Sequence, residues 1–110
     1  LGQVQFGYVK ASSNSAGGLF TYDGAAFGVA EVTIHTINQE NTLHQANKML
    51  ICADTTGTDE LNFSNYSILY SDGSTEIATF SATIASDGTV SVNVDGDDND
   101  DFYYAVTFLK

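Results

Sequence analysis

The 110-residue chain predicts an all-β fold, an antiparallel β-sandwich or jelly roll of about seven to eight strands. Three observations carry that prediction. Seven Phe and six Tyr stand beside few of the straight-chain helix formers Leu, Glu and Lys, a balance that suits pleated sheets. Segments alternating apolar and polar residues are separated by Gly-, Asp-, Asn- and Ser-rich turns at sheet-like spacing, and none sustains a helical period. Residues 77–94 also read as a hairpin whose register follows from its own side chains.

In that hairpin Phe80, Ala82 and Ile84 fall on one face of the first strand and Val90, Val92 and Val94 on one face of the second. A two-residue Asp87-Gly88 loop would set Ile84 against Ser91 and Phe80 against Asp95, an apolar side chain against a polar one each time. A three-residue loop of Ser86, Asp87 and Gly88 pairs Ile84 with Val90, Ala82 with Val92 and Phe80 with Val94. It also puts Gly88 at the left-handed position of a type I turn with a G1 bulge. The hairpin is expected to lie in the middle of a sheet, presenting a β-surface to a partner subunit.

The other elements follow in order. Residues 3–10 alternate Val4, Phe6 and Tyr8 against Gln3, Gln5 and Gly7, a strand pattern, and residues 11–18 are flexible Ser/Gly loop by composition. Residues 19–22 form a short edge strand closed by Asp23-Gly24. Over residues 27–37 the pattern turns Val32 and Ile34 inward and Glu31, Thr33 and His35 outward. Residues 38–41 are turn-like, and the strand of residues 42–53 ends in Met49-Leu50-Ile51-Cys52-Ala53 without polar alternation, so both its faces need cover. Residues 54–60 form a loop, and the next strand, 62–71, carries Tyr66, Ile68 and Tyr70 on one face. The final strand, 102–109, sets Phe102, Tyr104, Val106 and Phe108 against Tyr103, Ala105 and Leu109 and is apolar on both sides. All this makes one domain, with residues 1–26 an N-terminal strand and loop and residues 27–110 the main sandwich. A single two-sheet core leaves the outer faces wet. Two strands apolar on both faces therefore predict a partner subunit, or loops and terminal segments folded over them. Met49, Ile51, Tyr66, Tyr70, Tyr103 and Tyr104 are the interface candidates.

Composition narrows the function. Fourteen acidic residues against three Lys and no Arg give a net charge of −11, which repels nucleic-acid phosphate and anionic membranes. No run of about 20 apolar residues marks a spanning helix. The chain begins at Leu1 without a secretory pattern, which predicts processing, trimming or the ordered part of something longer. Cys52, in an apolar run, reads as a buried small hydrophobe. Many acids, among them Glu40, Asp54, Asp59, Asp72, Asp87, Asp97, Asp98, Asp100 and Asp101, fall in loop or turn stretches rather than on rigid elements. No nucleophile elbow, HExxH or phosphate loop is present, so no enzyme is expected. His35 points outward and reads as a surface or interface residue.

Asp95, Asp97, Asp98, Asp100 and Asp101 could offer oxygen ligands to calcium. An EF-hand loop starting at Asp95 would need Gly where Asp100 stands and Glu where Val106 stands, so only a non-EF site fits. The other reading is a solvated loop whose charges discourage edge pairing. Otherwise no cofactor is expected. Tyr66, Tyr70, Tyr103 and Tyr104 could make a sugar-stacking platform, or serve as core and interface rings.

Four blocks in order are Lys48-Met49-Leu50-Ile51, Tyr66-Ser67-Ile68-Leu69-Tyr70-Ser71, Ala78-Thr79-Phe80-Ser81-Ala82-Thr83-Ile84 and Thr89-Val90-Ser91-Val92-Asn93-Val94. This order resembles a β-sandwich domain of structural proteins of tailed bacteriophages, especially marine and cyanobacterial ones. There a lead strand like residues 30–37 precedes a K-x-L-x strand, a Y-x-x-x-Y strand and an LATFSADI strand. The resemblance covers residues 30–109; residues 3–26 lie outside it, and the acidic stretch 95–101 departs from the usual Thr/Ser-rich turn. It implies a virion component, such as a tail fibre, tail or neck appendage, or capsid decoration protein, assembled in the host cytoplasm. Such a subunit acts by self-association, in trimeric or other cyclic symmetry, and by docking to other virion proteins. A carbohydrate-binding adhesin or receptor-binding module facing a host-surface glycan is the alternative. A calcium-dependent bacterial adhesion domain is a third reading, resting on the acidic loop alone.

Overall fold

Runs of β-branched and aromatic residues build the strands of the computed structural model, which describes residues 2–10, 16–40, 42–96 and 100–110. Among these residues the strands are β1 (Gly2–Lys10), β2 (Ala16–Asp23), β3 (Val29–Asn38), β4 (Leu43–Asp54), β5 (Glu60–Tyr70), β6 (Thr79–Ile84), β7 (Thr89–Asp95) and β8 (Asp100–Leu109). They build a five-stranded sheet in the order β1-β8-β3-β4-β5 and a three-stranded sheet in the order β2-β7-β6. All pairings are antiparallel. The predicted all-β sandwich is the observed fold.

The hairpin has the expected register, with Phe80 opposite Val94, Ala82 opposite Val92 and Ile84 opposite Val90. Gly88 N–H donates to Ala85 O at 2.9 Å, Ala85 N–H donates to Thr89 O at 2.9 Å, and Gly88 sits at φ +86°. Its position in the sheet differs from expectation. Strand β6 is an edge of the smaller sheet, and the outward residues Thr79, Ser81, Thr83, Ser91 and Asn93 are polar. The strands apolar on both faces, β4 and β8, lie in the other sheet.

Between the sheets lies the core. From the larger sheet come Ala30, Val32, Ile34, Met49, Ile51, Phe102, Val106 and Phe108, and from the smaller Phe20, Tyr22, Phe80, Ala82, Val90, Val92 and Val94. Aromatic rings join the layers: Phe20 stacks on Tyr104 at 4.7 Å, and Phe80 meets Phe102 edge-on at 5.9 Å. The Tyr104 ring passes so close to Gly7 that a Cβ there would lie 2.2 Å from it, which explains a glycine in the middle of β1.

A buried amide anchors the crossover between sheets. Gln45 Nε2 donates to Ala78 O at 2.8 Å, and its Oε1 accepts from Ile77 N–H at 2.6 Å. Ile77 and Ala78 thus belong to the connection, and β6 begins at Thr79. Three strands cannot roof five. On β5 the inward-turned Phe63 and Ile68 stay exposed beyond the edge of the smaller sheet.

Candidate functional site: the outer face of the five-stranded sheet

Cross-strand pairing assembles the outer face row by row. One row runs Gly2, Leu109, Val29, Cys52, Asn62, and the next Val4, Thr107, Glu31, Leu50, Ser64. The central row places Ala105, Thr33, Lys48 and Ser67 side by side, and the following one Tyr103, His35, Ala46 and Leu69, with Phe6 and Tyr8 the backbone partners of Ala105 and Tyr103 on β1. The last brings Asp101, Ile37 and His44 together. In this plane Val4 is 56%, Leu50 44%, Tyr66 49%, Leu69 68%, Tyr103 45% and Leu109 55% exposed. Outer sheet faces are normally polar, and this spread of large apolar side chains sets the face apart.

Two polar clusters are set into it. Glu31 Oε2 accepts from the Tyr66 hydroxyl at 2.7 Å, while Lys48 Nζ lies 3.9 Å from Glu31 Oε1, so β3, β4 and β5 are tied across the surface. The bond to Glu31 raises the Tyr66 pKa above the usual phenol range, because the carboxylate favours the protonated hydroxyl. In the second cluster His35 Nε2 and His44 Nδ1 are 2.8 Å apart. Their ring centroids are 5.0 Å apart with planes at 22°. At that spacing the rings meet edge to edge through one N–H···N bond, one donating and the other accepting, rather than face to face. Desolvation, and then His44, hold His35 below the usual histidine range.

Several expected positions move. Met49 and Ile51 are fully buried between the sheets, so they are core residues and not interface ones; their neighbours Leu50 and Cys52 turn outward. Lys48 held the missing signal. A lysine on this strand has to reach water, and Leu50 and Cys52 share its face. Cys52 is accordingly exposed, contrary to its reading as a buried hydrophobe. Tyr104 turns inward onto Phe20, and Tyr70 is half-buried on the inner side of β5 opposite Gln45. Tyr66 and Tyr103 do lie on the outer face.

Tyr66 does not share a face with Ile68 and Tyr70, because a β-bulge intervenes: Lys48 pairs with Ser67 but Met49 with Asn65, which throws Tyr66 outward. The four tyrosines therefore do not form one platform. Tyr66 and Tyr103 stand on β5 and β8, three strand spacings or about 14 Å apart.

The acidic stretch also changes character. Asp100 and Asp101 open β8 and are buried, with Asn38 Nδ2 donating to Asp100 Oδ1 at 2.8 Å and Gln39 Nε2 donating to Asp101 Oδ2 at 2.7 Å. They are strand residues tied to the end of β3 rather than loop charges. Asp95 is exposed at the end of β7, and Asp97 and Asp98 lie outside the described residues. Among the described residues no group of three or more His, Cys, Asp or Glu side chains could hold a metal ion.

Comparison with protein-family models, curated proteins and solved structures finds no match to this chain.

Proposed function

We propose that this chain is a non-enzymatic structural subunit of a phage virion, a fibre, tail or neck appendage, or capsid decoration component, that acts by self-association and docking. The observation that carries the self-association is the apolar outer face of the five-stranded sheet. The virion assignment rests on the order of strand motifs from Lys48 to Val94.

Charge points to a second copy as the occupant of that face. Like copies of a −11 chain repel one another unless they meet where charge is scarce. Over the rows from Val29 to Ile37 the described charged side chains are Glu31, Lys48 and Asp101; the first two pair with each other and Asp101 is hydrogen-bonded to Gln39. Area agrees. Strands about 4.8 Å apart with residues about 3.4 Å apart make this face roughly 650 Å² in projection. A stable interface buries about 800 Å² per partner, and a corrugated face exceeds its projection.

Light scattering on size-exclusion fractions tests the reading. The parent chain is expected at a multiple of its 11.7 kDa mass, and Leu50→Lys at the single mass with the fold retained. A monomeric parent that binds glycans on an array would instead favour the adhesin alternative.

A further inference from the structure

Strand β5 is an edge of the larger sheet, touched by the smaller sheet where Asn65 Nδ2 donates to Phe80 O at 3.2 Å, and from Leu61 to Tyr70 it carries no charge and no proline. Edge strands are normally guarded by just such residues. Here Phe63, Tyr66, Ile68 and Leu69 are exposed along it.

The direction of its unpaired backbone groups can be worked out. Just past the strand, Ser71 N–H donates to His44 O at 2.9 Å, in line with the β4–β5 ladder. Backbone polarity alternates with side-chain face, so the outward-facing residues bond to β4, while Ile68 and Tyr70 present N–H and C=O to the free edge. The bulge at Tyr66 shifts both alternations together, which makes Phe63 and Leu61 edge-directed as well. The Phe63 N–H fits this assignment: its acceptor is Asn62 Oδ1 at 3.0 Å.

That bulge gives the edge a two-fold pattern. When two copies of β5 run antiparallel about an axis between Asn65 and Tyr66, Leu61 meets Tyr70, Asn62 meets Leu69, Phe63 meets Ile68 and Ser64 meets Ser67. Each pair lies on one face, and the edge-directed groups of Leu61, Phe63, Ile68 and Tyr70 fall opposite one another. In an unbulged strand an axis between neighbouring residues would oppose inward to outward side chains throughout.

The geometry points to pairing of β5 with β5 of a second copy, joining two five-stranded sheets into one. It rests on the reading of the chain as a self-associating subunit and adds a contact separate from the outer face. The interface is isologous.

Two single-cysteine chains, Ser64→Cys and Ser67→Cys, each also carrying Cys52→Ser and one isotope-labelled, are mixed and mildly oxidised. Ser64 and Ser67 would form a non-hydrogen-bonded pair with Cα atoms about 4.5 Å apart, within disulfide reach, whereas like residues sit several positions apart. The expected product is the mixed disulfide, well above the yield of either like-with-like dimer. Ile68→Pro, which removes an edge-directed N–H and spares the bonds to β4, should abolish it while leaving the melting temperature close to that of the parent. A statistical mixture of the three disulfides, or a yield unchanged by Ile68→Pro in a folded protein, overturns the inference. Loss of the mixed disulfide with Leu50→Lys still lowering the mass would remove the edge contact alone; the reverse pattern would remove the face.

Discussion

Replacing Gln45 by Met removes an amide and keeps the length of the side chain. Gln45 is nearly fully buried, and its amide makes four hydrogen bonds: Nε2 donates to Asn47 Oδ1 and to Ala78 O, both at 2.8 Å, and Oε1 accepts from Ile77 N–H at 2.6 Å and Ala78 N–H at 3.4 Å. Asn47 and Ala78 are themselves buried, so water cannot replace the lost partner. Each buried polar group stripped in this way costs about 1–3 kcal/mol. With the Ala78 carbonyl and the Asn47 side chain left without their partner, the expected loss is about 2–6 kcal/mol, a large part of the roughly 5–15 kcal/mol that a domain holds. The assay is urea unfolding followed by circular dichroism, with Thr83→Ala on the exposed side of β6 as a control that should move stability by no more than about 0.5 kcal/mol. A Gln45→Met loss below about 1 kcal/mol would refute the claim that this amide joins β4 to the crossover into the smaller sheet.

Four further outcomes are expected. Gly88→Val forces a branched residue to φ +86° and should destabilise the fold by about 1–3 kcal/mol in the same assay; equal stability would contradict the loop geometry. The Tyr22 hydroxyl is buried without a hydrogen-bond partner among the described residues, and burial, then Cys52, pushes its pKa up to about 12. Tyr22→Phe should therefore be neutral or stabilising by about 1 kcal/mol, and a comparable loss would reveal a partner. On the exposed turn after β5 the Thr75 hydroxyl, then the Ser74 and Thr75 N–H groups, hold Asp72 down to about 2. Its contribution to stability is present above the ordinary carboxylate value of about 3.9 and is lost as pH falls through about 2. NMR titration of the carboxyl carbon should show it rising in Thr75→Val. His35, held low by desolvation and His44, acts in the same sense at higher pH: its contribution is present above about 6.5 and is lost as pH falls through the lower folded value.

The parts of the fold written in local alternation were legible in the sequence. Val32 and Ile34 point inward, the 77–94 hairpin pairs in its predicted register, and Gly88 takes its left-handed turn position. What escaped is what alternation does not carry. The run from Met49 to Ala53 is apolar throughout and cannot say which side is core; Lys48, one residue earlier, decides it. A bulge leaves no mark on composition, so Tyr66 was grouped with residues of the opposite face. Asp100 and Asp101 read as loop because aspartate is rare in strands. Their amide partners, Asn38 at the end of a neighbouring strand and Gln39 in the turn after it, stand 62 residues away, beyond the reach of any local pattern. His35 was placed correctly on the surface, but its bond to His44 depends on the β3–β4 register. The apolar outer face was thus legible, with some of its residues taken from the wrong side of β4.

The most direct measurement of the central claim is the rate at which a thiol reagent labels Cys52 as protein concentration is raised. Cys52 is exposed on the outer face, in the row with Leu109 and Val29, and reports on that surface without a substitution. Self-association through this face predicts fast labelling in dilute protein and progressive protection across the same concentration range in which the mass by light scattering rises. A labelling rate that stays constant while the mass rises would place the contact elsewhere on the molecule and contradict the account.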